Sequence, residues 1–362
     1  MQKPTQLLTS VAYVFLLTTY AQADGPSFLS SLHSVSTIAS TVPANGDVNP
    51  YGIAVVPVTT GTLVADSILV SNFNNAANLQ GTGTTIVQVS PTGSQKLFAD
   101  VSSAACPDGI GLTTALVALR SGFVIVGSLP TSDGTAATAR AGCLIILNSS
   151  GQHVSTLSGH GINGPWDMTA LDMGSSALLF VANVLNGTVA ANGAVVSHGS
   201  VLRIDLSTPA GVAPSVTSYT TIASEFQERT DPNALVIGPT GLGLAADGTL
   251  FVADTLQNRI AAIPDAISRT QDAGAGETVA VGRALKQPLG LAIAPNGDIL
   301  TVNAADGRMV ETTSGGRQVG VRFVDVSHSK NGAGTLFGLV PALDGSGIYF
   351  VDDGNNTLNT LR

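Results

Sequence analysis

One unit recurs six times along the chain, and that repetition leaves few folds open. The copies are NPYGIAVV with DSILVSN (49–72), CPDGIGLTTALVALRSGFVIVGS (106–128), GPWDMTALDMGSSALLFVAN (164–183), GPTGLGLAADGTLFVADTLQNRIAAI (238–263), QPLGLAIAPNGDILTVN (287–303) and TLFGLVPALDGSGIYFVDD (335–353). Each joins a Pro or its equivalent, an aliphatic run, a tight turn, and a second aliphatic run ending in Asn, Asp or Ser. Asn-Gly and Asp-Gly between short apolar runs are strong hairpin signals, because these residues accept positive φ. Further strand-turn-strand segments follow, as in TIVQVSPTGSQKLFA, CLIILNSSGQHVSTLS and RMVETTSGGRQVGV. Each unit therefore reads as a four-stranded antiparallel meander.

The starting Pro positions are 50, 107, 165, 239 and 288, with Leu336 in the sixth place, so the intervals are 57, 58, 74, 49 and 48 residues. Intervals of this size fit propeller blades with loop insertions; a two-sheet sandwich calls for fewer and less regular strands. The expected fold is all-β: a six-bladed β-propeller of four-stranded antiparallel blades over residues 24–362. The sixth copy reaches Arg362 after three strands, TLNTLR being the third. HSVSTIAST (33–41) precedes the first copy and is expected to supply the missing outer strand, closing the ring through the chain ends and removing an open edge.

The first 23 residues read as a secretory leader. Lys3 supplies a positive n-region, LLTSVAYVFLLTTY an apolar h-region and AQA a small-residue cleavage site before Asp24. A membrane anchor is the competing reading, but the run of 14 residues is shorter than the roughly 20 needed to span a bilayer. Secretion or a periplasmic location follows. The formal charge is −9, or −10 once Lys3 is removed, with no basic patch, which argues against nucleic-acid binding. Cys106 and Cys143 form either one disulfide closing a 37-residue loop or two buried thiols.

PTGLGLAADGTLFVADTLQNRI and PLGLAIAPNGDILTVNAADGRMV resemble the NHL-repeat class of six-bladed β-propellers, whose blades run Pro-x-Gly-apolar, a turn, then apolar-Val-Ala-Asp-x-x-x-Asn-Arg-Ile. The resemblance covers residues 49–362 and implies the fold; it does not imply an activity, since one scaffold carries many. Gluconolactonase-like propellers of this class hold calcium with a first-blade Glu and later Asn and Asp residues, but here the first blade reads DVNPYG. Amidoglycolate-lyase propellers hold zinc with histidines. The five here, His33, His153, His160, His198 and His328, recur at no common blade position. Streptogramin-lyase-like propellers need an ordered His and acidic cluster that has no match.

Three sets of candidate residues remain. The ends of the second strands, Asn72, Ser128, Asn183, Asp254, Asn303 and Asp352, could ring the channel mouth with oxygen ligands for calcium, or each could cap its own turn. The position after the first-strand Pro, Tyr51, Asp108, Trp166, Thr240, Leu289 and Phe337, could bind a planar or sugar-like ligand or plug the channel. His160 and Asp167, close in sequence, could form a base and its orienting carboxylate. Long Gly-, Asn- and Thr-rich loops after the second strands of the first three units gather on one face and could form a recognition surface. The function expected is a monomeric binding or scaffold module for a small molecule, glycan or protein. The alternative is a calcium-dependent hydrolase or lyase with its site at the channel.

Overall fold

The computed structural model describes residues 26–327 and 334–362, so the leader and His328 lie outside the described residues. The repeat turns fold as tight hairpins. In AADG the Gly248 N–H donates to the Ala245 carbonyl at 3.0 Å, and in APNG Gly297 donates to Ala294 at 2.9 Å. Both glycines sit at φ +87°, a left-handed conformation in which a side chain would be strained.

Six antiparallel sheets result. Their inner strands are Val48–Val55, Leu112–Ala118, Pro165–Asp172, Pro239–Leu244, Pro288–Ile293 and Leu336–Pro341. Each packs on the inner strands of both flanking blades, and the sixth packs on the first, so the chain forms a closed six-bladed β-propeller. Burial falls from the axis outward. The second strand of blade 4, Leu250–Asp254, is buried throughout, whereas its outer strand Glu277–Val281 is mostly exposed. A second strand is covered on both faces by neighbouring blades, which is why it reads as a continuous apolar run rather than an alternating one.

The ring closes through the chain ends. Val35–Ser40 pairs antiparallel with Thr357–Leu361, from Val35 opposite Leu361 to Ser40 opposite Thr357, with one register shift between Thr37 and Ala39. The ladder extends at one end, where the His33 and Ser34 N–H groups donate to the Arg362 carbonyl at 2.6 and 2.7 Å. A second clasp precedes it: Glu311 of blade 5 accepts from Ser27 Oγ at 2.6 Å and from the Phe28 and Leu29 N–H groups at 2.7 and 2.8 Å. Burial alone would raise the Glu311 carboxyl, but these donors and Asn296 outweigh it and hold the carboxyl below the usual glutamate range.

Two details depart from the repeat as read in sequence. Blade 2 starts its inner strand at Leu112, paired with Ser128 as Pro50 is with Asn72, rather than at Pro107. The residues from Cys106 to Gly109 form a turn, closed by a 3.2 Å bond from Gly109 N–H to the Cys106 carbonyl, and the strand follows it. Blade 3 has five strands instead of four. Its long fourth strand, Ser215–Asp231, turns back into Leu235–Ile237, and this accounts for the 74-residue interval.

Cys106 and Cys143 are joined by a disulfide, their Cα atoms 6.1 Å apart, inside the apolar cluster between blades 1 and 2. In the chain-entropy picture a 37-residue loop is worth about 4 kcal/mol. The bridge ties the entry turn of blade 2 to its third strand.

Because the closing ladder is the one place where distant ends of the chain complete a sheet, a chain lacking residues up to Val42 is expected to melt far below the full-length protein. Scanning calorimetry checks this, and an unchanged melting temperature would mean that the ring closes without the ladder.

Candidate functional site

Both residue rings expected at the channel are structural in their main part: the first is buried in hydrogen bonds within the blades and the second fills the axis. All six second-strand ends are fully buried, so they form no ring of ligands at the mouth. Most of them grip the segment leading into their own blade. Asn72 Nδ2 donates to the Thr41 carbonyl at 3.0 Å, and Ser128 Oγ accepts from Gly111 N–H at 3.0 Å. Asn183 Oδ1 accepts from Asn163 N–H at 3.1 Å and Asn303 Oδ1 from Lys286 N–H at 3.1 Å. Asp352 accepts from Val326 and Ser327 N–H at 2.9 and 3.0 Å. Asp254 instead pairs with Arg259 Nε at 2.8 Å, a buried ion pair. The oxygens of Ser128, Asn183, Asn303 and Asp352 accept from backbone donors, and among the described residues no group of three or more His, Cys, Asp or Glu could hold a metal.

The second ring is a plug. Tyr51 stacks between Phe73 and Phe337, at centroid distances of 4.6 and 3.8 Å, and Trp166 lies 6.4 Å from Tyr51 and 6.2 Å from Phe337. The extra strand of blade 3 reaches this cluster: Leu235, Val236 and Ile237 are buried in it, and Trp166 Nε1 donates to the Val236 carbonyl at 3.0 Å. Stacked aromatic pairs contribute roughly 0.5–1.5 kcal/mol each beyond their buried area. Asp108 is not a member; the shifted start of blade 2 puts Thr113 in that place and leaves Asp108 exposed in the entry turn.

His160 and Asp167 do not meet. His160 is exposed and stacks on Tyr219 at 4.5 Å, nearly parallel, while Asp167 is buried and accepts from Leu242 N–H at 3.0 Å. Sequence proximity misled here because the inner strand carries Asp167 inward as His160 remains in the loop before it.

On either side of the plug lies a concavity. One is a cleft of about 1000 Å³ on the face of the long loops. Its wall carries amides, among them Asn49, Asn74, Asn78, Gln80 and Gln287, together with Arg229, Asp231 and Asp353. Arg229 and Asp231 form a 2.9 Å ion pair. Asn74 Nδ2 donates to Asn78 Oδ1 at 2.7 Å and Gln80 Nε2 to the Pro232 carbonyl at 2.9 Å. Buried Asn49 Oδ1, Asn74 Oδ1 and Gln80 Oε1 have no hydrogen-bond partner, and neither does Tyr51 OH in the plug beneath. Burial, then the neighbouring Asp352 and Asp325, push the Asp353 carboxyl up to about 8. Burial, with Asp353 and Asp231 adding to it, also raises the Tyr51 phenol well above its ordinary value. The other concavity, of about 340 Å³, opens on the opposite face between the ends of the inner strands.

None of these cleft residues stood out in the sequence. Asp231 ends a strand and Asn233 and Asp353 occupy turns, and these look like ordinary connections until blade 3's extra strand and blade 6's loop converge on the axis.

No family model matches the sequence, and no curated protein sequence is significantly similar to it. Solved structures are similar in fold. A gluconolactonase from Xanthomonas campestris superposes with a TM-score of 0.55 at 13% identity, over 90% of this chain and 88% of that one. A calcium-binding regucalcin from Agrobacterium tumefaciens gives 0.54 at 12%, over 90% and 93%. The aldose sugar dehydrogenase from Streptomyces coelicolor, in its PQQ-bound form, gives 0.52 at 16%, over 91% and 97%. At these identities the likeness is one of fold.

Glu228 is fully buried beside the cleft-forming loops, with Oε1 accepting from Asn186 N–H at 2.9 Å. Burial pushes its carboxyl up to about 8. The unfolded chain releases this proton near pH 4 and the folded protein only near pH 8, so in that window the folded state binds more protons and stability falls as pH rises. The stability of the native protein relative to Glu228→Gln is therefore expected to decline between pH 5 and pH 8, by as much as about 1.4 kcal/mol per unit. Urea unfolding across that range checks it; a difference independent of pH would show that Glu228 is ionised in the fold.

Proposed function

We propose that this protein is an exported, monomeric binding propeller whose loop-face cleft takes a small hydroxylated molecule or a glycan unit. The observation that carries the reading is the chemistry of the wall: side-chain amides, unpartnered amide oxygens and the carboxyl groups of Asp231 and Asp353 surround a cleft of about 1000 Å³. Amides both donate and accept, a carboxylate accepts and a protonated carboxyl also donates, so together they match hydroxyl groups, which do both. The aromatic plug beneath the cleft gives the ligand a floor rather than a channel to cross. Sugar-acting proteins on the same fold, the gluconolactonase and the aldose sugar dehydrogenase, accord with this reading.

The second reading is a calcium-dependent hydrolase or lyase. Asp231, Asp353 and the oxygen of Asn49 are the hard ligands calcium takes, and a calcium-binding protein shares the fold. These residues fit calcium in donor type but supply only two carboxylates of the six to eight ligands it prefers.

Titration of the metal-free protein with a panel of mono- and oligosaccharides and polyols, read by calorimetry, decides between them. The expected result at pH 9, where Asp353 is ionised, is saturable binding by at least one class, weakened about tenfold or more in Asp353→Asn, as loss of a hydrogen bond to a charged group implies. Absence of binding across the panel, with stoichiometric calcium in the purified protein and a chelator-sensitive melting temperature, would favour the second reading.

A further inference from the structure

The smaller concavity, on the face away from the loops, has a construction of its own. Two residues after the inner-strand position that pairs with the end of each second strand (Pro50, Leu112, Pro165, Pro239, Pro288 and Leu336) come Gly52, Thr114, Asp167, Gly241, Gly290 and Gly338. The glycines stand where inner strands come into backbone contact. A Cβ on Gly290 would collide with the Phe337 carbonyl, and one on Gly338 with the Tyr51 carbonyl. Blades 2 and 3 break this pattern with a hydroxyl and a carboxylate.

Asp167 reaches across to the next blade at the level where glycine elsewhere permits backbone contact, and accepts from Leu242 N–H of blade 4 at 3.0 Å. It is 8% exposed and lines the cavity, as does Thr114, whose buried Oγ1 has no hydrogen-bond partner. Asp172 is the other ionisable residue in the wall, and it is occupied at the rim by the N–H groups of Arg120 and Gly174, at 2.6 and 2.8 Å. The rest of the wall is aliphatic: Ile53, Leu116, Met168, Leu242, Leu291 and Leu339 among others. No cation pairs with Asp167 among the described residues.

We propose that this cavity is a second binding site, for a small apolar molecule bearing one amine, with Asp167 as the anionic anchor and Thr114 as a further hydrogen-bond acceptor. Its volume of about 340 Å³ lies at the low end of the range for small-molecule sites. An ionised carboxylate only accepts, so the ligand's polar group must donate, and an ammonium does so with charge assistance. About four acceptor positions exist on a carboxylate, and the N–H groups of Leu242 and Met168 use part of them. Burial pushes the Asp167 carboxyl up to about 7, so a bound cation removes the penalty that burial imposes on its charge. The apolar body of the ligand then covers the aliphatic wall, including Leu343, which is 62% exposed at the opening.

The full chain titrated with benzylamine and, separately, with benzyl alcohol at pH 8 tests this by calorimetry or ligand-observed NMR. The expected result is one saturable site for the amine, at least tenfold weaker binding of the alcohol, and at least tenfold loss of amine affinity in Asp167→Asn. Ala170→Leu, which fills the cavity wall while leaving the carboxylate in place, is expected to abolish amine binding as well, and it decides the matter alone if Asp167→Asn does not fold. Equal binding of amine and alcohol, amine binding untouched by both substitutions, or no saturable amine site in the native protein would overturn the proposal.

Discussion

The whole molecule depends on the antiparallel ladder between its two ends, Val35–Ser40 against Thr357–Leu361. In a propeller of six wedge-shaped sheets the four middle blades are flanked on both faces along the chain, whereas blades 1 and 6 gain a second neighbour only when the ring closes. The ladder supplies the outer strand of blade 6, and the inner strands of blades 6 and 1 pack on each other. Without it blade 6 would carry an unpaired edge of N–H and C=O groups. The bonds from Glu311 to Ser27, Phe28 and Leu29 reinforce the same closure on the neighbouring blade.

Closure draws the inner strands to the axis, and the axis is too narrow for six ordinary side chains. Glycine relieves the crowding in four blades, and an aromatic plug around Tyr51, Trp166 and Phe337 fills what remains. The plug divides the axis into two unlike concavities. Loops and the extra strand of blade 3 wall one with amides and carboxylates; strand ends line the other with aliphatic side chains and one buried carboxylate. Two concavities of different chemistry on opposite faces are thus the outcome of one packing constraint.

Much of the fold was legible in the repeat. Six hairpins, the closing strand at 33–41 and the loop-rich face can all be read from turn residues and aliphatic runs, since these are local signals with a local physical cause. The register of blade 2 was not legible. Pro107 resembles the other starting prolines, yet Leu112 takes that place, because the turn from Cys106 to Gly109 comes first and the disulfide to Cys143 ties that turn to the blade's third strand. The candidate site was less legible still. Asp254 and Asn303 looked like possible ligands, but their oxygens are committed to Arg259 and to the Lys286 N–H. Asp353, one residue beyond the repeat's last polar position, lines the cleft instead.

The sequence by itself determined the number of blades, the strand polarity and the manner of closure, because period, turn chemistry and alternation act over a few residues and survive whatever surrounds them. Only the tertiary structure decided which polar side chains face a concavity and which spend their hydrogen bonds inside a blade. Asp167 shows why. In the chain it is a carboxylate near a histidine; in the ring it sits where four other blades require glycine, and its surroundings come from inner strands on either side of it, Thr114 of blade 2 and Leu242 of blade 4. Burial and partners of that kind are set by contacts between residues far apart in sequence, and no local pattern records them.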